Sequence, residues 1–216
     1  MTRIAIFGGT GYAGTHLASE AVGRGIDVIS YSRTAPDGAS RVAGVEYRTG
    51  SVDDPGARAA AIADADVVVV TIPPGAGLGA GYREVALALA AEAAESGVRV
   101  GFVGGAGSSF VSEGGPRLVD TPEFHPDWKP EALVLADTLD ALRETPDEVD
   151  WFVVSPAALF GSYGPQEARG TYRTGGDVLV TDADGGSAIS GADYARAFVD
   201  EIESAAHRRQ RFTVGW

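Results

Sequence analysis

Short, almost continuously apolar runs alternate along this sequence with longer stretches that are rich in alanine. The apolar runs contain many β-branched residues, which is typical of strands buried on both faces of a parallel sheet. They predict strands at residues 3–7, 26–31, 45–48, 66–72, 98–103 and 151–154.

The stretches between these runs carry Ala, Leu, Glu and Arg, which favour helix. They predict helices at 12–24, 54–63, 80–96 and 130–144, and a fifth at 190–204 that begins at Ser190, with Asp193 completing its cap. Alternating strands and helices imply right-handed crossovers and a doubly wound parallel α/β sheet. Because no repeat or linker divides the chain, we expect one domain over residues 1–216, with 161–189 as a loop-rich segment.

Composition excludes several classes of function. The chain has 216 residues and a net charge of −13, which argues against a nucleic-acid surface. No apolar run approaches the ~20 residues of a membrane span, and the N-terminus enters a strand without a signal-peptide pattern. We therefore expect a cytoplasmic protein. The absence of cysteine excludes thiol chemistry and cysteine-based zinc sites. Because His16, His125 and His207 do not have the spacing of metal ligands, no metal is expected. His207 lies in a basic C-terminal stretch without a predicted strand.

Glycine clusters follow three of the predicted strands. G-G-T-G-Y-A-G follows strand 3–7, P-P-G-A-G-L-G-A-G follows 66–72, and G-G-A-G-S-S follows 98–103. The carboxyl ends of parallel strands share one edge, where ligands bind at the topological switch point. The first cluster spaces Gly8, Gly11 and Gly14 between a strand and a helix, the context in which such glycines hold a dinucleotide pyrophosphate at a helix N-terminus.

The end of the second strand indicates which dinucleotide is bound. An acidic residue there would hold the ribose 2′-hydroxyl of NAD, but this chain has Arg33 in that place, next to Ser32. A guanidinium can pair with a 2′-phosphate through charge-assisted hydrogen bonds. The pattern therefore predicts NADP, with NAD as the less favoured cofactor and an ordinary solvated arginine as the alternative reading.

Landmarks along almost the whole chain resemble the atypical short-chain dehydrogenase/reductase superfamily. They are G-G-T-G-Y-A-G, S-R after the second strand, V-G-G-A-G-S, K-P-E-A-L, D-W-F-V-V-S-P-A-A-L-F and I-S-G-A-D-Y-A. Within that superfamily the chain is most similar to NmrA-like and flavin reductase/biliverdin reductase B-like NAD(P)H-binding proteins. The resemblance implies a Rossmann-like fold with a small substrate-facing C-terminal part. It also implies cofactor contacts at Thr10, Tyr12 and Ala13 in the glycine loop, at Asp53 near the adenine, at Thr71, Ile72 and Pro73 beside the ribose, and at Ser155, Pro156 and Ala157 near the nicotinamide.

Active members of that superfamily use a Tyr-x-x-x-Lys pair with an upstream serine. The corresponding residues here are His125 and Lys129, with Ser108 or Ser109 upstream, so the spacing is kept but the tyrosine is replaced. A histidine can deliver a proton near neutral pH. Lys129 is the only lysine in the chain and could also contact the cofactor ribose. Ser108, His125 and Lys129 are thus the catalytic candidates; the alternatives are a loop histidine, because Pro126 argues against a regular helix there, and plain surface charge.

The irregular stretch 104–128 carries Phe110, Phe124 and Trp128 and is expected to form a lid that suits a flat substrate. Tyr163 and Tyr172 could line a substrate pocket, although packing is their default reading. The favoured function is an NADPH-dependent reductase that acts on a small planar acceptor such as a flavin, quinone or carbonyl compound. The alternatives are a non-catalytic NADP(H)-binding regulator and, less favoured, a sugar-nucleotide epimerase or dehydratase. The expected partner is a small-molecule substrate, bound by a monomer or small homo-oligomer.

Overall fold

The computed structural model describes residues 2–38 and 41–216 and contains one eight-stranded sheet. Its order is β3-β2-β1-β4-β5-β6-β8-β7, in which every neighbouring pair is parallel except β7 with β8. The strands are β1 (Arg3–Phe7), β2 (Asp27–Ser32), β3 (Val45–Thr49), β4 (Val67–Val70), β5 (Arg99–Val103), β6 (Trp151–Ser155), β7 (Arg173–Gly175) and β8 (Gln210–Gly215).

Helices cover both faces of the sheet. They are α1 (Tyr12–Gly23), α2 (Pro55–Asp64), α3 (Tyr82–Glu95), α4 (Lys129–Arg143) and α5 (Gly191–Ser204). The α1 and α5 helices pack on one face, while α2, α3 and α4 pack on the other. Successive residues of β1 point to opposite faces. Ile4 and Ile6 belong to the core under α1 and α5, whereas Ala5 and Phe7 belong to the core under α2, α3 and α4. Strands buried on both faces need the continuous apolar runs seen in the sequence.

The doubly wound Rossmann-like fold predicted from the sequence is confirmed. All six predicted strands and five predicted helices are present, with boundaries that differ by at most two residues. The predicted cap of α5 is also present, because the Ser190 hydroxyl accepts a hydrogen bond from the Asp193 N–H at 3.1 Å. The loop-rich segment 161–189 contains only the three-residue strand β7.

The prediction of a basic tail near the C-terminus was wrong. Residues Gln210–Gly215 form β8, which lies inside the sheet between β6 and β7. Arg211 is buried there: its Nε donates to Asp177 Oδ1 at 2.8 Å and its Nη1 to Ser109 Oγ at 2.7 Å. An arginine with these partners can occupy the interior, although the sequence pattern alone marks it as a surface residue.

The irregular stretch 104–128 is attached to the rest of the protein. The Phe110 N–H donates to the Asp177 carbonyl, and its carbonyl accepts from the Leu179 N–H, both at 2.8 Å. Val119 is fully buried. The middle of this stretch is therefore attached to the protein body by hydrogen bonds, and its role as a lid stays a prediction. In the described part of the chain, no helix is long and apolar enough to cross a membrane.

Candidate functional site: a cofactor cleft at the carboxyl edge of the sheet

The candidate site lies where the strand order reverses. β1 has β2 on one side and β4 on the other, so the chain leaves β1 and β4 toward opposite halves of the sheet. In doubly wound sheets the crevice at such a point receives the ligand. The loops that follow β1 to β6 all reach this edge, and they carry the residues predicted to bind the cofactor.

The glycine loop after β1 is shaped by close backbone contacts. Gly8 has φ +90°, a conformation that favours glycine, and its N–H donates to the Tyr31 carbonyl at 3.0 Å. A Cβ on Gly14 would stand 2.2 Å from the Gly8 carbonyl oxygen and 2.6 Å from the Gly9 Cα. Gly14 is therefore required for α1 to approach the loop.

Gly11 differs from its two partners because its side-chain direction is open. A Cβ there would meet only the Gly8 carbonyl oxygen, at 3.4 Å, which is ordinary contact. Gly11 is also the N-cap of α1, and within the described chain no side chain caps this helix and no acidic residue lies in its first turn. The first N–H groups of the helix lack partners within it and, with the helix dipole, suit an anion. The residues present thus fit the pyrophosphate of a dinucleotide.

Arg33 and Asp53 stand together at the end of the cleft next to β2. Arg33 is exposed, and its Nη1 lies 3.4 Å from where a Cβ on Gly77 would stand, so the guanidinium reaches toward the loop after β4. A hydrogen bond from Ser51 lowers the pKa of Asp53, with a further contribution from the charge of Arg33. The Ser32 hydroxyl donates to the Thr34 carbonyl at 2.7 Å and so is used in a local turn.

The loops after β4 and β6 line the other half of the cleft. The Thr71 hydroxyl donates to the Phe7 carbonyl at 3.1 Å, which holds the start of Thr71-Ile72-Pro73 against the end of β1. Ser155 is fully buried, and among the described residues its Oγ has no hydrogen-bond partner. Pro156 and Ala157, which follow it, are also buried. The cofactor contacts of these residues stay predictions.

The side chain of Tyr12 serves to pack two helices together. Its hydroxyl oxygen accepts a hydrogen bond from the Gly191 N–H at 3.0 Å, at the first residue of α5. Its ring lies 4.9 Å from that of His16 and 5.5 Å from that of Phe160, measured between centroids. The side chain of Tyr12 is therefore occupied, and the cofactor contact predicted at this residue falls to its backbone N–H.

The three catalytic candidates are not joined by hydrogen bonds in the described part of the structure. The Ser108 hydroxyl donates to the Gly105 carbonyl at 3.1 Å, and Ser108 borders a cavity of about 400 Å³ against the second half of α4. His125 caps the short turn Pro126–Trp128, where its Nδ1 accepts from the Asp127 N–H at 3.3 Å. Lys129 is exposed at the first residue of α4. Their catalytic roles stay predictions.

Glu131 brings together residues that sequence reasoning did not assign to the site. Its Oε2 accepts from the Gly75 N–H at 3.1 Å, which fixes the first turn of α4 to the loop after β4. Burial, and then the charge of Glu131, raises the pKa of both Tyr82 and Tyr163. Tyr163, from the loop after β6, stacks on Trp128 with 6.0 Å between ring centroids. No sequence signal marks these contacts, because their partners are far apart in the chain.

A family model described as NAD(P)H-binding matches residues 8–205. The chain belongs to this NAD(P)H-binding family. The matched range covers the glycine loop, the cleft and all five helices, so the chain is an NAD(P)H-binding protein. In the described residues, no group of three or more His, Cys, Asp or Glu side chains could hold a metal ion.

Relatives of this NAD(P)H-binding protein carry differing names. An uncharacterised protein of Bacillus subtilis, YwnB, is 45% identical over 113 residues, which is 52% of each chain, so the match spans about half the length of that relative. A crystal structure of a provisionally named exported protein from Burkholderia pseudomallei is 39% identical over 100% of both chains, with a TM-score of 0.87. A provisionally named epimerase from Bacteroides thetaiotaomicron is 31% identical over 100% of this chain and 97% of its own, with a TM-score of 0.87. A provisionally named NADH-flavin reductase from Streptococcus pneumoniae is 29% identical over 100% and 99%, with a TM-score of 0.86. The resemblance to NAD(P)H-binding proteins that include flavin reductase-like relatives is confirmed.

Proposed function

We propose that this protein is an NADPH-dependent reductase that transfers hydride to a small planar acceptor such as a flavin, a quinone or a carbonyl compound. The observation that carries the proposal is the open space at Gly11, at the uncapped N-terminus of α1, with Arg33 at the neighbouring strand end. Membership of the NAD(P)H-binding family and the name of the Streptococcus pneumoniae relative support it.

In this proposal the chain positions its ligands and NADPH supplies the hydride. The N–H groups at the start of α1 bind the pyrophosphate, and Arg33 binds the 2′-phosphate. Thr71-Ile72-Pro73 and Ser155-Pro156-Ala157 flank the nicotinamide half of the cleft, and Lys129 holds the nicotinamide ribose. A flavin or quinone acceptor takes its proton from water, so His125 is not needed as an acid.

A specific observation favours a second candidate, the non-catalytic NADP(H)-binding regulator. Position 125 lacks the tyrosine, and the histidine that replaces it already accepts a hydrogen bond from the Asp127 N–H. The same lack argues against an epimerase, whose chemistry uses that tyrosine. NADPH oxidation measured over a panel of flavins, quinones and aldehydes separates the candidates, because tight NADPH binding without turnover on any acceptor would favour the regulator.

Cofactor choice is tested on Arg33. Calorimetry should show NADPH binding at least tenfold tighter than NADH, about 1.4 kcal/mol, and Arg33→Ala should remove most of this difference. Arg3→Ala is the matched control, since Arg3 is also exposed but begins β1 at the opposite edge of the sheet. Equal affinity for both cofactors in the wild type would refute the assignment of NADP.

A further inference from the structure

Three aromatic side chains form a row on the surface of the protein. We call His125, Trp128 and Tyr163 the aromatic row. The His125 and Trp128 rings lie 5.0 Å apart with 33° between their planes, and the Trp128 and Tyr163 rings lie 6.0 Å apart with 19°. Trp128 is 54% exposed and Tyr163 is 66% exposed. Aromatic rings supply much of a protein's buried apolar area, so large rings left this exposed suggest that another flat molecule covers them.

The aromatic row stands beside the loop after β4, whose Gly77 the Arg33 guanidinium also approaches. The hydrogen bond between Glu131 Oε2 and the Gly75 N–H places the start of α4, and with it Trp128, beside the loop after β4. Tyr163 reaches the row from the loop after β6. Arg33 follows β2, on the opposite side of β1. A dinucleotide whose 2′-phosphate is held at Arg33 and whose pyrophosphate is held at Gly11 would run from the end of β2 across β1 toward β4, whose loop lies beside the row.

The segment that carries His125 and Trp128 is acidic. Residues 121–135 contain Glu123, Asp127 and Glu131 against the single cation Lys129. Asp127 Oδ2 lies 3.8 Å from His125 Nδ1, and the charge of Glu131 acts on Tyr163. Arg169, the arginine nearest Tyr163 in sequence, is turned to the Trp216 ring at 3.9 Å. Like charges repel over such distances when salt is low, so an anionic group at the row would be disfavoured.

We propose that the aromatic row is the acceptor-binding surface and that it selects a planar acceptor without phosphate or carboxylate groups. This inference rests on the proposed function and narrows its substrate class. Trp128 and Tyr163 bind the flat ring system by stacking, while Glu131 and Asp127 disfavour phosphorylated acceptors. Riboflavin and neutral quinones are thus favoured over FMN and FAD.

Riboflavin and FMN provide a matched pair of probes, because they differ only by a phosphate. Their binding to the protein saturated with NADP⁺, which carries no hydride to transfer, is measured by quenching of flavin fluorescence. Riboflavin should bind at least about threefold tighter than FMN at low salt, and the gap should narrow as salt is added. Trp128→Ala and Tyr163→Ala should each weaken riboflavin binding by about tenfold without changing NADP⁺ affinity.

The role of charge is tested with an isosteric variant. Glu131→Gln keeps an oxygen that can accept a hydrogen bond from the Gly75 N–H but removes the charge. The variant should therefore reduce the difference in binding affinity between riboflavin and FMN. Glu148→Gln is the control, because Glu148 is exposed between α4 and β6, at the other edge of the sheet. An equal effect of both variants would show that only the overall charge of the protein matters, and would overturn the charge selection.

The outcomes separate this inference from the proposed function. Absence of NADP⁺ binding would overturn the proposed function and, with it, the inference. NADP⁺ binding with FMN bound as tightly as riboflavin would overturn the inference alone, as would riboflavin binding unchanged by Trp128→Ala and Tyr163→Ala. Menadione, a neutral bicyclic quinone, is the second probe, and failure of both riboflavin and menadione to bind would also overturn it.

Discussion

Replacing Gly11 and Gly14 by alanine, one at a time, should separate cofactor binding from folding. The two glycines are three residues apart, Gly11 at the N-cap and Gly14 in the first turn of α1, yet a methyl group meets different surroundings at each. On Gly14 it would stand 2.2 Å from the Gly8 carbonyl oxygen and 2.6 Å from the Gly9 Cα, so backbone must move. On Gly11 the nearest atom of the described residues, apart from those next to it in the chain, would be the Gly8 carbonyl oxygen at 3.4 Å.

These distances set the expected magnitudes. Gly14→Ala should destabilise the fold by about 2–4 kcal/mol, because overpacking against backbone cannot be relieved by side-chain rotation. Gly11 has φ −80° and ψ 177°, which alanine adopts freely, so Gly11→Ala should cost less than about 1 kcal/mol of stability, mostly from its weaker N-cap. The methyl group then occupies space that the pyrophosphate needs, and NADPH affinity should fall at least tenfold, about 1.4 kcal/mol.

Urea unfolding followed by circular dichroism measures the stability of each variant, and calorimetry measures NADPH affinity. The expected pattern is opposite for the two: wild-type stability with weak binding for Gly11→Ala, and low stability for Gly14→Ala. Wild-type NADPH affinity in a fully folded Gly11→Ala protein would refute the reasoning, because the loop would then be only a turn. A Gly14→Ala protein as stable as the wild type would show that the loop relaxes more easily than its contacts suggest.

Three further substitutions test the remaining residues. Lys129→Arg should weaken NADPH binding roughly threefold or more although the charge is kept, because a planar guanidinium cannot make the same close contact; unchanged affinity in calorimetry would remove Lys129 from the site. His125→Phe should leave turnover on flavins and quinones within about twofold and lower it by ~10² or more on a carbonyl acceptor, and a loss on every acceptor would make His125 a general requirement. Glu201→Gln should destabilise the protein by about 3 kcal/mol at pH 7, since it leaves buried Arg99 without the carboxylate at 2.5 Å. Burial by itself raises the pKa of Glu201, but hydrogen bonds from Arg99 and His207 outweigh the effect of burial, and the pKa is lowered. The stabilisation that the Glu201 carboxylate provides is therefore lost as pH falls below ~4. Urea unfolding should show that the difference in unfolding free energy between the wild type and Glu201→Gln becomes smaller at that pH. A difference that stays constant would contradict this reading.

The sequence was sufficient for the parts of the fold that are encoded locally. Five of the six strands it predicts are buried on both faces, so their apolar runs are nearly unbroken, whereas the edge strand β3 is only partly buried. The glycine spacing marks the turn into α1. β8 was missed because its run, Q-R-F-T-V-G, begins with two polar residues, Gln210 and Arg211. The burial of Arg211 depends on Asp177, 34 residues earlier, and on Ser109, 102 residues earlier. No single sequence reveals such pairs.

The same limit applies to the candidate site. The residues of the glycine loop could be named because their roles follow from spacing and backbone sterics within a few positions. The contact of Glu131 with Gly75, and the stacking of Trp128 on Tyr163, join loops that follow different strands. Tyr12 shows the converse, since its place in the motif suggests a ligand contact whereas its hydroxyl serves the packing of α5.

The interior position of β8 has a consequence for synthesis of the protein. A ribosome delivers the chain from its N-terminus, so β6 emerges more than fifty residues before β8, its eventual neighbour. Until Gln210–Gly215 has left the exit tunnel, β6 presents an unpaired edge, the kind of surface that recruits other strands and leads to aggregation. The short β7 cannot protect it, because β7 pairs only with β8. Completion of the sheet therefore has to wait for the C-terminal strand, and a nascent chain that stalls before residue 210 would depend on chaperones to stay soluble.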